Sequence, residues 1–391
     1  MKNKSLLKPM LAAALYSLGV AATLCHASIK DFNDAVSQGD FKRAAQHTES
    51  IWRDQDKSQP SSATLAREFA FVNYKAGDFD TADYFIEQLS KRVVFDNQRE
   101  VTRVLEELIN YRRSSRASYL DRLSAALKRR LNTDGIDNIS VIAADLLFVA
   151  NWNQKRWEHV PKAADLAKKI YARGGDVFQA RRHRADIFSI ASRYVGKPRL
   201  YQFQAMDSIH NAIVADINTA TPGPLRDELI RLKFLAQAWS HSMYGSYLSY
   251  NPGADKFIES SERRHIVEPS VPLFDSKPIS NSKQVPESKQ VFDSKQVRKA
   301  TSVCDTELVT RNLRYPPVAT FSGLMGAVIV RFEFDADGRA TSSNILAAVP
   351  DPLFADSVRE AVSSAHLKSV SGRAACQLPK SLVQTFSLVI Q

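Results

Sequence analysis

A strand, a tight turn and a returning strand can be placed in the last quarter of the chain. From Gly326 to Phe334, the apolar residues Val328, Val330, Phe332 and Phe334 alternate with Ile329, Arg331 and Glu333, which is the period of a half-buried strand. Asp337-Gly338 follows, and an Asp-Gly pair between two strand-like runs predicts a hairpin because glycine adopts positive φ without a steric cost. The return strand is expected from Arg339 to Ala347.

A helix and one more strand complete this unit. Asp351-Pro352 predicts a helix start, since aspartate caps a first turn and proline fits its first position. One apolar face then follows at helical spacing, formed by Phe354, Val358, Ala361, Val362 and Ala365. A last strand is expected from about Ser381 to Ile390. The order strand, strand, helix, strand predicts a small α+β domain, in which a three-stranded antiparallel sheet packs on one helix.

This unit resembles the C-terminal domain of the TonB family. The points of resemblance are Tyr315-Pro316, Gly326 with the alternating strand after it, Asp337-Gly338-Arg339, Ile345-Leu346, and the helix that carries Phe354 and Val358. Two features depart from the family pattern. The helix ends in Ala365-His366-Leu367-Lys368, where the family usually has aromatic residues. The segment before the last strand carries Cys376, a cysteine that the best-known members lack.

The resemblance implies a partner and a way of binding it. Members of the family bind outer-membrane TonB-dependent transporters near the transporter's N-terminus and take part in energy transduction for nutrient uptake, for example of iron chelates. A three-stranded sheet on one helix leaves an edge of unpaired N–H and C=O groups, to which an extended peptide can add as a further strand. By resemblance, the receiving edge is the last strand, Leu382 to Val389. The residues expected to contact the peptide are Asn312, Arg314, Tyr315, Pro316, Leu382, Gln384, Phe386 and Leu388.

A second interpretation comes from another class of protein. The same small module can serve a periplasmic scaffold or an envelope-assembly protein, which binds other proteins without any energy coupling. Loss of transport through the outer membrane after gene deletion is expected only under the first interpretation.

The start of the chain predicts export. Lys2, Lys4 and Lys8 precede an apolar run from Met10 to Leu24, and Cys25-His26-Ala27 ends with small residues where a signal peptidase cleaves. Residues 1–27 are therefore expected to be a cleaved signal peptide, which places the mature protein in the periplasm.

Two alternatives remain open for this segment. An uncleaved inner-membrane anchor that faces the periplasm is one, although a fifteen-residue helix spans only about 22 Å of a hydrocarbon core of about 30 Å. The serine and histidine pair of the family's anchors is also missing, since Ser17 is followed by Ala21 at that spacing. A lipoprotein modified at Cys25 is the other.

Residues 28–261 are expected to form an all-α, helical-repeat-like domain. Gly39-Asp40-Phe41 and Gly77-Asp78-Phe79 each precede an alanine, and their glycines are 38 positions apart. A poorer copy includes Arg156-Trp157. These segments resemble the inter-helix turn of a tetratricopeptide repeat, and an irregular helical bundle is the alternative. A helical solenoid offers a concave face for a protein partner, and inner-membrane motor or anchored TonB-system subunits are the expected candidates.

Residues 262–303 are expected to form a disordered linker before a C-terminal domain at residues 304–391. Ser282-Lys283-Gln284-Val285 begins a tandem hexapeptide, and low hydrophobicity with interspersed prolines disfavours a packed core. Once the signal peptide is removed, Cys304 and Cys376 are the cysteines that remain. An even pair in an oxidising compartment predicts a disulfide, with two buried free thiols as the alternative.

No motif in the sequence argues for catalysis, a metal or a cofactor. The histidines lack metal-ligand spacing, and neither a phosphate-binding loop nor a nucleophile elbow is found. The formal charge of +11 suits an anionic envelope partner, with a solvated surface and a lysine-rich linker as the alternative, whereas nucleic acid is not expected in the periplasm. The dense run Arg181-Arg182-His183-Arg184 is either a site for phosphate or acidic lipid or a solvated helix face.

Overall fold

The computed structural model describes residues 23–59, 61–92, 96–195, 200–250, 306–310, 325–350, 353–369 and 378–388. The chain divides into two compact units, Met1–Val195 and Gly196–Gln391. Within the described ranges, no helix is both long enough and apolar enough to cross a membrane. The predicted signal peptide lies outside these ranges up to residue 22, and a helix begins at Thr23.

Among its described residues, the first unit is built from α-helices and one short 3-10 helix at Gly175–Phe178. Consecutive helices pack against each other as hairpins. The helices are α1 (Thr23–Gln38), α2 (Phe41–Asp54), α3 (Ser61–Ala76), α4 (Phe79–Ser90), α5 (Asp96–Ser114), α6 (Ala117–Arg130), α7 (Asn138–Asn153), α8 (His159–Ala172) and α9 (Gln179–Tyr194). This arrangement confirms the helical-repeat-like N-terminal region.

The turns inside four successive hairpins recur at intervals of 38 to 40 residues. Each contains a residue with positive φ, at Gly39, Gly77, Ser115 and Lys155. The Gly-Asp-Phe pattern predicts the first two, and the turn at Lys155 belongs to the poorer third copy. The turn at Ser115 escapes the pattern because Ser-Arg replaces Gly-Asp there. The repeat is thus more regular in backbone conformation than in sequence.

The turn at Gly39 shows why this pattern ends one helix and starts the next. The amides of Gly39 and Asp40 donate to the carbonyls of Val36 and Ala35 at 3.0 and 2.9 Å, which is a Schellman motif. The Asp40 side chain then accepts from the Arg43 amide at 3.1 Å and caps α2. The corresponding bonds recur around Gly77 and Asp78.

The second unit combines a helical hairpin with two small sheets. Its elements are α10 (Leu200–Thr219), α11 (Pro224–Tyr250), β1 (Thr306–Val309), β2 (Gly326–Phe334), β3 (Ala340–Val349), α12 (Leu353–Val362), β4 (His366–Ser369) and β5 (Ser381–Leu388). A three-stranded antiparallel sheet has the order β3-β2-β5, which confirms the α+β prediction. The second sheet pairs β1 with β4, and neither of these strands was predicted.

Strand β2 is buried on both faces. Val328, Val330 and Phe332 pack with Phe354 of α12 in one core. Ala327 and Ile329, on the opposite face, are also fully buried, and α11 packs across β2, β3 and β5. The half-buried strand predicted from the sequence is therefore wrong for Ile329, because a helix from before the linker covers the second face.

The position of α11 changes what the linker connects. The segment between Tyr250 and Thr306 lies outside the described residues, and the predicted domain boundaries stay a prediction. The helix before this segment and the strands after it belong to one compact unit. The segment predicted to be a linker therefore lies between two parts of one unit.

The hairpin between β2 and β3 forms as predicted. Gly338 has a φ of +79°, and its amide donates to the Asp335 carbonyl at 3.1 Å. The Asp335 side chain accepts from the amides of Asp337 and Arg339 at 3.0 and 2.8 Å. An aspartate side chain thus holds the turn in place from its first residue.

Replacing Gly326 with alanine is expected to lower the free energy of unfolding of the second unit by about 1–3 kcal/mol. An added Cβ would lie 2.7 Å from a ring carbon of Phe354, which is fully buried and has no room to shift. Urea unfolding of the full chain measures the change. The double variant Gly326→Ala with Phe354→Leu should lose less free energy of unfolding than the sum of the losses of the two single variants. A loss equal to that sum would contradict the clash.

Candidate functional site

The open edge of the three-stranded sheet is the candidate site. Within the part of the chain that the structure describes, β5 pairs with β2 alone. The pairing runs from Gly326 opposite Leu388 to Glu333 opposite Ser381 without a register shift. One side of β5 is therefore a regular row of main-chain groups.

The hydrogen-bond parity of β5 identifies which groups face outward. The Phe334 amide donates to the Lys380 carbonyl at 2.9 Å, so these opposed residues are a hydrogen-bonded pair. Such pairs alternate along an antiparallel ladder with pairs whose N–H and C=O groups point away from each other. The outward-pointing groups on β5 therefore belong to Ser381, Val383, Thr385 and Ser387.

The predicted contact residues of β5 occupy the other set of positions. Leu382, Gln384, Phe386 and Leu388 lie opposite Phe332, Val330, Val328 and Gly326. Their main-chain groups bond to β2. Phe386 and Leu388 are buried in the core with α12, and Leu382 packs against it. These four residues hold β5 against β2. The main-chain groups that face outward belong to the residues between them, such as Val383 and Thr385.

One outward acceptor on this edge is already occupied. The Gln384 side-chain amide donates to the Thr385 carbonyl at 3.1 Å. A polar side chain folded over an edge discourages pairing with unselected strands. An incoming strand that bonds to the Thr385 carbonyl therefore replaces this contact.

The opposite edge of the sheet is less suited to strand addition. β3 pairs with β2 through two irregularities, between Ile329 and Val330 and between Glu333 and Phe334. The register leaves Leu346 and Thr341 of β3 as the extra residues. Bulges of this kind break the regular spacing that a new strand needs. The regular edge is β5.

The comparison with known families bears on this unit. Residues 311–373 match the family described as Gram-negative bacterial TonB protein C-terminal. The match includes β2, β3, α12 and β4, covers well under half of the chain, and ends before β5. A search of curated proteins finds no match to the chain, and a search of solved structures finds none either. We call the α+β part of the second unit, from β1 to β5, the TonB-like region.

Several predicted site residues of the TonB-like region lie outside the described residues. They are Asn312, Arg314, Tyr315 and Pro316, together with both cysteines of the expected disulfide, Cys304 and Cys376. Their roles stay predictions. Thr306 pairs with Ser369, so the chain segments that lead to the two cysteines leave the β1–β4 sheet at the same end.

The second face of the TonB-like sheet is fixed by α11. The Ser242 hydroxyl donates to the Met325 carbonyl at 3.0 Å, and both residues are buried. Burial and the neighbouring charge of His210 lower the pKa of His241 to about 4, so this imidazole is neutral at pH 7. The sheet therefore has a helix on each face, and no described residue pairs with the outer edge of β5.

The cationic run on α9 makes contacts within the first unit. Arg181 pairs with Asp145, and Arg182 lies 3.4 Å from Asp176. The Arg184 guanidinium lies over the Phe148 and Phe188 rings, at 6.0 and 5.9 Å from their centroids. These contacts favour a structural role for the three arginines over an anion site.

Proposed function

We propose that this protein is a periplasmic TonB-family protein that binds outer-membrane TonB-dependent transporters by strand addition. The observation that carries the proposal is the regular open edge of β5, next to a stretch that matches the TonB C-terminal family. In this proposal an extended segment of the transporter lies antiparallel or parallel to β5. It bonds to the outward N–H and C=O groups of Val383 and Thr385.

The physical basis of the binding is the main chain. Each typical hydrogen bond contributes about 0.5–1.5 kcal/mol, so a row of them gives useful affinity with little demand on the partner's sequence. Gln384 turns away when the partner's N–H group takes over the Thr385 carbonyl. Because both faces of the sheet are covered, the incoming strand meets an edge that is already held in shape.

The proposal also assigns a role to the helical hairpins. Energy transduction for nutrient uptake requires a connection to the inner membrane. The helical first unit would supply that connection by docking an inner-membrane motor protein or an anchored TonB-system subunit. The expected signal peptide places both contacts in the periplasm.

Two measurements test this function together. Full-length mature protein is titrated with synthetic peptides from the N-terminal stretches of the transporters in its own genome, and uptake of an iron chelate is measured after gene deletion. Binding with loss of uptake supports energy coupling. Binding with normal uptake of every transported nutrient tested supports the scaffold alternative, and absence of binding to all peptides overturns strand capture.

We further expect a disulfide between Cys304 and Cys376 in the exported protein. Such a cross-link would stabilise the TonB-like region by roughly 4 kcal/mol through loop closure. Its position would brace the β1–β4 sheet. Mass spectrometry of periplasmic protein after alkylation without reductant checks the bond, and two alkylated thiols would contradict it.

A further inference from the structure

Helix α11 is covered along most of its second half. Every residue from Ala236 to Tyr247 is buried or half-buried. A helix at the surface of a domain leaves one polar face in water. This part of α11 is therefore an interior element of the second unit.

One side of α11 packs on α10. The Ser240 hydroxyl donates to the Asp207 carboxylate of α10. One turn further along α11, the Tyr244 ring meets the Phe203 ring of α10 edge to face, with 5.2 Å between the ring centroids. These contacts hold α10 and α11 together as a hairpin.

The opposite side of α11 packs on the TonB-like sheet. Ser242 follows Ser240 by two positions, which is about 200° around the helix, and its hydroxyl donates to the Met325 carbonyl. Ala327 and Ile329 of β2 are fully buried on this face of the sheet, and α11 also packs on β3 and β5. Removal of α11 would expose this apolar face to water, so the sheet depends on α11 as it does on α12.

These contacts join parts of the chain that are distant in sequence. The 55 residues 251–305 separate α11 from β1. A chain of that length reaches roughly 180 Å when it is fully extended, whereas α11 and β1 belong to one compact unit. The covalent connection therefore comes under tension only after the contacts between α11 and the sheet have opened.

A pull on β5 reaches α11 by a shorter route. β5 pairs with β2 from Ser381 to Leu388, and β2 lies against α11. A strand added to the outer edge of β5 is held by the main-chain groups of alternate residues, whereas α11 contacts all three strands of the sheet. The contact with α11 should therefore withstand a pull that releases the added strand.

We propose that α10 and α11 belong to the transporter-binding module, and that a pulling force on β5 reaches the first unit through α11. The second part of this inference rests on the proposed function. The module is then discontinuous in sequence, with one part on each side of residues 251–305. That segment joins the two parts covalently, but it does not transmit the force.

Cutting the chain between α11 and β1 tests the shared module in vitro. A protease site is inserted between Ser282 and Lys283, and the folded, full-length mature protein is cut to completion. We expect the two fragments to elute together from a sizing column at micromolar concentration, with the mass of the uncut chain. Fragments that separate without denaturant would overturn the proposal.

Two isoleucine variants of the cut protein locate the contact. Ile329→Ala removes apolar volume from the face that α11 covers, and should weaken association of the fragments at least about 30-fold. Ile345→Ala is the matched control, because it makes the same change in β3 on the face toward α12. It should weaken association far less, and equal weakening by both variants would refute the assignment to the α11 face.

Uptake by a split protein tests the force path in cells. Residues 1–282 are exported together with residues 283–391, which follow a second copy of residues 1–27, in a strain that lacks the gene. We expect iron-chelate uptake close to that of the intact chain, because the contacts of α11 replace the missing covalent link. Loss of uptake while the two chains still purify together would show that the covalent segment carries the force, and would overturn this path.

The two measurements separate this inference from the proposed function. Absence of uptake with the intact chain would refute the proposed function and, with it, the force path. Association of the cut fragments would support the shared module in either case, because it requires no transporter.

Discussion

Replacing both Val383 and Thr385 with proline is expected to weaken binding of an extended transporter peptide by roughly 100-fold. Each proline removes an outward N–H group of β5 and leaves an acceptor of the bound peptide unpaired, at a cost of about 1–3 kcal/mol. The pairing of β5 with β2 uses the N–H groups of the alternate residues, so the sheet keeps its own bonds. Edge strands tolerate proline at such outward positions.

The measurement is calorimetric titration of the full mature chain with the tightest-binding transporter peptide. Val383→Thr with Thr385→Val is the matched control, because it changes the same two side chains and keeps both N–H groups. The control should bind as the unaltered protein does. If the proline variant binds equally well while its melting temperature is preserved, the peptide does not add to β5.

Replacing Phe354 with alanine is expected to lower the free energy of unfolding of the second unit by about 3–5 kcal/mol. The ring is fully buried between α12 and β2, in the same core as Val328, Val330 and Phe332. Its removal leaves a cavity. Gly326, which lies against the ring, has no side chain that could fill this cavity. No other single truncation of this core deletes a larger apolar group.

Hydrogen exchange followed by mass spectrometry separates this effect from the helical repeats. Amides of β2 and α12 should exchange much faster in the variant, whereas those of α3 in the first unit should be unchanged. Phe354→Leu is the graded control and should lie between the two. Equal acceleration in α3 would show that the two units unfold as one, and unchanged exchange in β2 would show that the ring is not central to the core.

The local features of this fold follow from the sequence. Gly39 and Gly77 end helices, Asp40 and Asp78 cap the next ones, and Asp335 with Gly338 closes the hairpin, because each depends on one residue's φ and on bonds within a few positions. The same local rules place β2, β3, α12 and β5. The turn at Ser115 is not predicted by these local rules. Ser115 adopts the same positive φ as Gly39 and Gly77, but no glycine marks the turn in the sequence.

Features that join distant segments were decided by the tertiary structure. The burial of Ile329 depends on α11, and the β1–β4 sheet joins a segment before β2 to one between α12 and β5. Which β5 groups face outward also follows from its register with β2, since a shift of one residue would exchange the two sets. Hydrophobic periodicity determines whether a segment forms a helix or a strand. Contacts between segments determine which main-chain and side-chain groups of that segment stay accessible to a partner.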